Sequence, residues 1–455
     1  MSGLNQRLKN FAREGKSIKI GLAGLGQMGR GLLSQLNDLE GMEVCALADM
    51  DIANTEKTLK SLGISRENYI LIRSGEDSIK KTRKIADIDL TVDIFTDKAI
   101  SNMGSALNEK ILIYSDSLSV LFNIEEIDLI IDATGNPEAG AYIALNAITS
   151  KKHLVTLNVE MDVTIGPFLR DLAQEHGVVY TLSAGDEPPA AKELYDFIDM
   201  LGMDVIAAGK GKNNPLDREA NPDTMAEYAL EKGSNPYMMT SFVDGTKSMV
   251  EMACLSNATG LKPDCRGMHA PTVNINELLD ILKLKSQGGI LDKTGVVEFV
   301  VGDLAPGVFL IYTTKNKILK DELKYLLLGE GPNYLLYRPY HLTSMEAPIS
   351  IARAYFYKEA TMIPLADLVS EVITIAKRDL KTGEKIDRIG GYTVYGLVED
   401  RHISEINNFL PIGLSEGAVL KNNIEKSRPI TYNDVNLSSD CLVFRLRKIQ
   451  DSRKG

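Results

Sequence analysis

The sequence predicts an α/β protein with an N-terminal doubly wound parallel sheet, a central α+β domain and a small β-rich C-terminal unit. Three observations carry this. Short β-branched runs alternate with helical patterns over the first third of the chain, the pattern of a parallel sheet with crossover helices. A glycine-rich turn joins the first of these runs to the first long helix. The chain has 455 residues, too many for one ordinary core, so several domains are expected. The boundaries fall at 1–160, 161–382 and 383–455, with an insertion of charge-rich helical pieces over 63–117.

The elements follow in order. Leu4, Leu8 and Phe11 lie at helical spacing and predict a short amphipathic helix over 4–14. Residues 17–23 read as a buried strand, followed by the glycines and a helix through 36. Further strands are expected at 43–48, 127–133, 153–157 and 178–182, with a helix over 138–147. The prolines of GDEPPAAKELYDF suit the start of a helix. Residues 204–208 read as a strand running into a glycine-flexible loop that carries Lys210 and Lys212. The run GVVEFVVGDLAPGVFLIYTT reads as a hairpin or two adjacent strands. Residues 381–391 look like an exposed connector.

Composition narrows the function classes. The chain is 44% hydrophobic and 25% charged with a net charge of −11, which disfavours nucleic acid as a partner. Its four cysteines are scattered without metal-type spacing, and its five histidines form no ligand cluster, so a structural zinc site is not expected. No apolar run reaches the length of a membrane span, and the N-terminal residues lack the apolar core of a secretory leader. A cytoplasmic protein with reduced thiols, without membrane partners and assembled as a homo-oligomer, is the expectation.

Gly24-Leu25-Gly26-Gln27-Met28-Gly29 fits GxGxxG, follows a strand pattern and opens a helix, and Asp49 stands twenty residues further on. That is the setting of a Rossmann dinucleotide site. Gly24 would make the tight turn, Gly26 would admit the pyrophosphate, and Gly29 would let helix pack on strand. Asp49 would accept from the adenosine ribose, which favours NAD over NADP. Thr134 and Gly135, at the end of another parallel strand, could pass under the nicotinamide. Asn158 could contact its ribose or the substrate, or serve as a cap.

Hydride transfer to a carbonyl needs a proton donor or cation at the developing oxyanion. Lys210, Lys212 and Lys247 are the candidates. If a helix starts at Asp244, its carboxylate falls on the face of Lys247 and positions that ammonium. Asp186 and Glu187, at a helix entrance, could bind substrate hydroxyls or Mg²⁺. His341 beside Arg338 is a candidate acid–base or phosphate contact.

Several segments carry a family resemblance: GLAGLGQMG, DATGNPEAG, YTLSAGDEPPAAKELYDF, IAAGKGKNNP, SFVDGTKSMVEMA and YLLYRPYHLTSMEAPISIARA. Together they resemble the homoserine-dehydrogenase-like NAD(P)-dependent oxidoreductases. KTGEKIDRIGGYTVYG and LPIGLSEGAVLKNNIEKSRPITYNDV resemble a C-terminal SAF domain. Within that group the resemblance implies an enzyme like 1-deoxy-D-xylulose 5-phosphate reductoisomerase, using NADPH on a small phosphorylated carbonyl. The resemblance to true homoserine dehydrogenases is looser. Val159 follows Asn158 where that family has lysine, and Asp244 and Lys247 stand one residue closer than its catalytic pair. The alternatives are a homoserine or aspartate-semialdehyde type of dehydrogenase and, in another class, a dinucleotide-binding sensor.

Overall fold

The computed structural model describes residues 2–85 and 88–453. Ala86 and Asp87 of the expected insertion, and Met1, Lys454 and Gly455 at the ends of the expected domains, lie outside them. The chain forms two compact units. The first comprises the residues up to Met161, then Phe168–Asp186 and Leu342–Ile363. The second comprises Asp162–Pro167, Glu187–His341 and the chain from Pro364 onward.

The first unit contains β1 (Ile18–Ala23), β2 (Met42–Ala48), β3 (Tyr69–Ile72), β4 (Ser78–Ile85), β5 (Ile88–Phe95), β6 (Leu112–Ser115), β7 (Leu129–Asp132), β8 (His153–Thr156) and β9 (Tyr180–Leu182). Seven of these form one sheet in the order β3-β6-β2-β1-β7-β8-β9, with every pairing parallel. Sequence order reverses between β1 and β7, and ligands of doubly wound sheets bind outside the strand ends at such a switch. The sheet is covered on both faces, which is why β1 buries Gly21 and Ala23 on one face as well as Ile20 and Leu22 on the other. The expected first helix is present as Ser2–Arg13, and the helix after the glycines runs Gln27–Asn37.

The expected insertion of charge-rich helical pieces needs correction. Its most charged stretch is an antiparallel hairpin of β4 and β5, and β6 is a core strand of the main sheet. In β5, Ile88, Leu90 and Val92 are buried in alternation with exposed Asp89 and Thr91, a period of two. The lysines and arginine of β4 point to solvent, and their charge masked that period in the sequence. One helix, Asp97–Asn108, does lie in this region.

The second unit is built around β10 (Asp204–Lys212), β11 (Lys262–Pro263), β12 (Val296–Val301), β13 (Val308–Thr313) and β14 (Asn333–Arg338), in the order β11-β12-β10-β13-β14. Two expectations fail here. β12 and β13 are neither a hairpin nor neighbours, because β10 lies between them, parallel to β12 and antiparallel to β13. Lys210 and Lys212 are therefore not in a flexible loop. They stand on the central strand, two residues apart and so on one face.

Two further strands, β15 (Ser370–Ala376) and β16 (Val394–Asp400), pair antiparallel in the same unit. The expected connector at 381–391 is more tightly held than its lysines suggest. Gly383 N–H donates to Leu420 O and Ile386 N–H to Ala418 O, and Gly390 and Gly391 are buried. On β15, Glu371 accepts two hydrogen bonds from buried Arg447, at 2.7 and 2.9 Å, and pairs with Arg401. Burial opposes the carboxylate charge, but the two guanidinium groups win and hold the Glu371 carboxyl below the usual carboxylate range. Removing one partner of such a pair strands a buried charge. Glu371→Gln is therefore expected to cost about 3–5 kcal/mol in denaturant unfolding, whereas replacing Glu371 and Arg447 together by Leu and Met restores much of the loss.

Candidate active site

In the first unit, the candidate cofactor residues meet at the switch point. Gly24 has φ +90°, and a Cβ there would lie 2.8 Å from Ala133 O, so the turn out of β1 passes close to the end of β7. At Gly29 a Cβ would lie 2.0 Å from Gly24 O, which is the close approach of helix to strand. A Cβ at Gly26 would meet nothing within 4 Å. Gly26 caps the helix Gln27–Asn37 without any side-chain hydrogen bond, so that helix start offers backbone N–H groups to an anion. Gln27 and exposed Met28 form its first turn.

Asp49 follows β2, and its carboxylate already accepts from Leu25 N at 2.6 Å and Asp51 N at 2.8 Å. It thus pins the glycine turn to the end of β2, while Asp51 is the residue that caps the next helix. Thr134 donates through Oγ1 to Asp132 at 2.6 Å, and Gly135 takes φ +64°. Asp132 is wholly buried, and burial raises its carboxyl despite the hydrogen bonds from Thr134 and Thr156. Asn158 is also wholly buried. Its Oδ1 accepts from Met161 N at 3.1 Å and its Nδ2 donates to Asn136 O at 2.8 Å, so it caps the helix Val159–His176.

In the second unit, the candidate catalytic groups converge beside β10. Lys210 is buried and pairs with Glu187 at 2.6 Å and with Glu251. Burial alone would depress this lysine, but the two carboxylates reverse the effect and hold its ammonium firmly charged. Glu251 is pushed up by burial and by the charge of Glu187, against the pull of Lys210. His341 reaches the same group, with Nε2 3.5 Å from Glu187 and Nδ1 2.7 Å from Pro306 O. Arg338 pairs with Glu193 at 3.1 Å. Asp186 ends the Phe168–Asp186 segment of the first unit, immediately before Glu187.

Lys212 differs from Lys210. It is equally buried but has no carboxylate partner of its own among the described residues, and Nζ donates to Asn214 O at 2.8 Å and Pro215 O at 3.1 Å. Burial, and then the positive charge of Lys210, push its ammonium down to about 8. The result is a fixed cation and a titratable lysine side by side on one strand.

The expected pairing of Asp244 with Lys247 is not formed. The helix starts at Thr246, with Gly245 as its cap at φ +82°, so Asp244 lies before it. Its wholly buried carboxylate accepts from Lys377 Nζ at 2.9 Å and Thr246 N at 2.8 Å. Lys247 instead lies one turn before Glu251 and contributes to that carboxylate's electrostatics. Glu251 was missed from sequence, although a lone glutamate inside MVEMACL, four residues after a lysine, signals a buried charge. Lys377 gave no such signal.

Residues 185–347 match the family model described as the catalytic domain of oxidoreductase DRL. A 180-residue stretch is 25% identical to a homoserine dehydrogenase of Synechocystis sp., covering 39% of this chain and about a third (32%) of that protein. Among solved structures, the chain is similar to a DOX-P reductoisomerase in complex with magnesium (12% identity, 75% of this chain and 70% of that one, TM-score 0.40). It is also similar to the NAD(H)-bound scyllo-inositol dehydrogenase of Lactobacillus casei (13%, 71% and 76%, TM-score 0.36). The first unit thus carries a Rossmann-type sheet, and the stretch that matches an oxidoreductase catalytic domain lies largely in the second. No helix among the described residues is long and apolar enough to cross a membrane.

Proposed function

We propose that the protein is an NAD(P)H-dependent oxidoreductase that reduces a small, polar, phosphorylated carbonyl substrate, of which 1-deoxy-D-xylulose 5-phosphate is the specific candidate. The observation that carries the chemistry is Lys212. It is buried on β10, shifted to about 8, and stands next to the fixed cation Lys210. Reduction of a carbonyl leaves negative charge on oxygen, and a lysine titrating near neutrality can give that oxygen its proton. Lys210 adds positive potential, Glu187 and Glu251 hold it in place, and Lys247 contributes charge for an anionic substrate. His341 orients Glu187.

The glycine turn fits a dinucleotide. Space is open at Gly26, the helix start lacks a side-chain cap, and a side chain at Gly24 or Gly29 would collide with backbone. The bound nicotinamide would supply the hydride. Asp49, Thr134 and Gly135 line the same strand ends, with Asn158 as their buried support. Mg²⁺ fits less simply. The carboxylates of Glu187 and Glu251 are both engaged by Lys210, so no step is assigned to a metal.

On the sequence grounds given above, we keep the division at 160 and 382, the SAF-like character of the last part, the cytoplasm as location and a homo-oligomer as assembly.

The test is oxidation of NADH or NADPH by the purified protein with 1-deoxy-D-xylulose 5-phosphate, with and without Mg²⁺. Saturable oxidation with formation of a branched tetritol phosphate is the expected outcome. The aligned homoserine dehydrogenase favours a second reading, a hydroxy-amino-acid dehydrogenase. Turnover of aspartate semialdehyde, unaffected by inorganic phosphate, would establish that reading instead.

A further inference from the structure

The parallel sheet of the first unit has a second end, where β8 begins, opposite the glycine turn. A cavity of about 280 Å³ opens there, lined among others by Glu125, Asp128, Lys151, Lys152, His153 and Lys358. His153 is 7% exposed. Its Nδ1 accepts the backbone N–H of Val179 at 2.9 Å. A backbone N–H only donates, so the neutral ring carries its proton on Nε2. That Nε2 lies 2.8 Å from Lys358 Nζ, and an ammonium also only donates. Two donors thus face each other, one of them on a buried ring, and neither supplies an acceptor. Burial and the charge of Lys358 push His153 down to about 4, which keeps the ring in this neutral form at pH 7.

The surrounding charges leave room for an anion. Three lysines line the cavity against two carboxylates. Lys152 is occupied by the carbonyls of Ile124 at 2.7 Å and Ile127 at 2.8 Å, and Asp128 accepts from Lys19 N at 2.9 Å. Lys151 and Lys358 remain at the opening, each just past a helix end and each at φ 58°. Favourable interaction with helix C-termini accounts for cations at these positions. It provides no acceptor for His153.

We propose that this cavity binds a small oxyanion, a phosphate or carboxylate group, which accepts the Nε2–H of His153 and lies between the ammonium groups of Lys358 and Lys151. The site is separate from the glycine turn, at the opposite ends of the strands of the same sheet. The experiment follows the His153 Nε2–H resonance by NMR in the full-length, ¹⁵N-histidine-labelled protein. It is titrated with inorganic phosphate, with acetate, and with chloride at matched ionic strength. A saturable shift with phosphate, with acetate or with both, and none with chloride, is expected. The two anions then separate a phosphate site from a carboxylate site. Lys358→Met, at an exposed position, should weaken this binding roughly tenfold, the value of one charge-assisted hydrogen bond. The proposal is overturned if neither anion gives a saturable shift, or if Lys358→Met binds as well as the parent chain. A neutral Lys358 amine accepting from His153 in anion-free buffer would overturn it too.

Discussion

Replacing Lys212 by methionine is expected to lower kcat for carbonyl reduction by roughly 10²–10⁴-fold, the usual contribution of a positioned general acid. Methionine keeps the length and apolar character of the buried stem, so the fold should survive and KM for the nicotinamide should change little. The parent enzyme supplies the sharper test, because Lys212 lies near 8 rather than in the ordinary lysine range. The proton donor is the charged form. Below that pH the lysine is protonated and reduction runs at its plateau, and as pH rises through about 8 the rate falls tenfold per unit. Alcohol oxidation needs the neutral amine and should rise through the same pH. Lys210→Met removes the second-largest influence on Lys212, a like charge nearby, and should move both profiles to higher pH. A reduction profile flat from pH 6 to 10 would exclude Lys212 as the acid.

Gly209→Ala is the second large effect, and it acts on folding. Gly209 lies on β10 between two paired strands, opposite Glu298 on β12. A Cβ there would sit 1.6 Å from Glu298 O, and the obstructing atom is backbone. Glu298 cannot retreat easily. Its wholly buried carboxylate accepts from His269 N at 2.9 Å, Ala270 N at 3.1 Å and Phe299 N at 3.0 Å. The strands must separate, and a loss beyond about 4–5 kcal/mol is expected, enough to leave the chain unfolded or insoluble. Gly104→Ala is the control. It lies in the helix Asp97–Asn108, where a Cβ would meet nothing within 4 Å, so it should stabilise by about 0.5–1 kcal/mol. Thermal unfolding of the two variants side by side decides the matter, and a soluble Gly209→Ala protein with the parent Tm would contradict the account of β10.

These glycines show where the sequence could be read and where it could not. The three glycines after β1 were legible because their roles follow from a local turn: strand, tight bend and helix start lie within a dozen residues. The alternation Gly-Lys-Gly-Lys on β10 holds an equally local period of two, yet it was taken for a loop. Glycine is common in loops, and nothing nearby reveals that β12 and β13 press on both sides. The charge-rich hairpin of β4 and β5 was hidden in the same way, by lysines on its solvent face.

What the sequence determined by itself was the alternation of buried strands with helices and the position of the glycine turn, and it offered a short roster of charged residues as candidates. Tertiary structure alone decided their partners. Asp244 pairs with Lys377, 133 residues away, rather than with Lys247 three residues on. Lys210 finds Glu187 and Glu251 on two different helices, whereas Lys212 beside it donates to backbone carbonyls. The physical reason is range. Helix and strand periods are set by neighbours along the chain, whereas a buried charge takes its proton affinity from whatever the fold brings within a few ångströms.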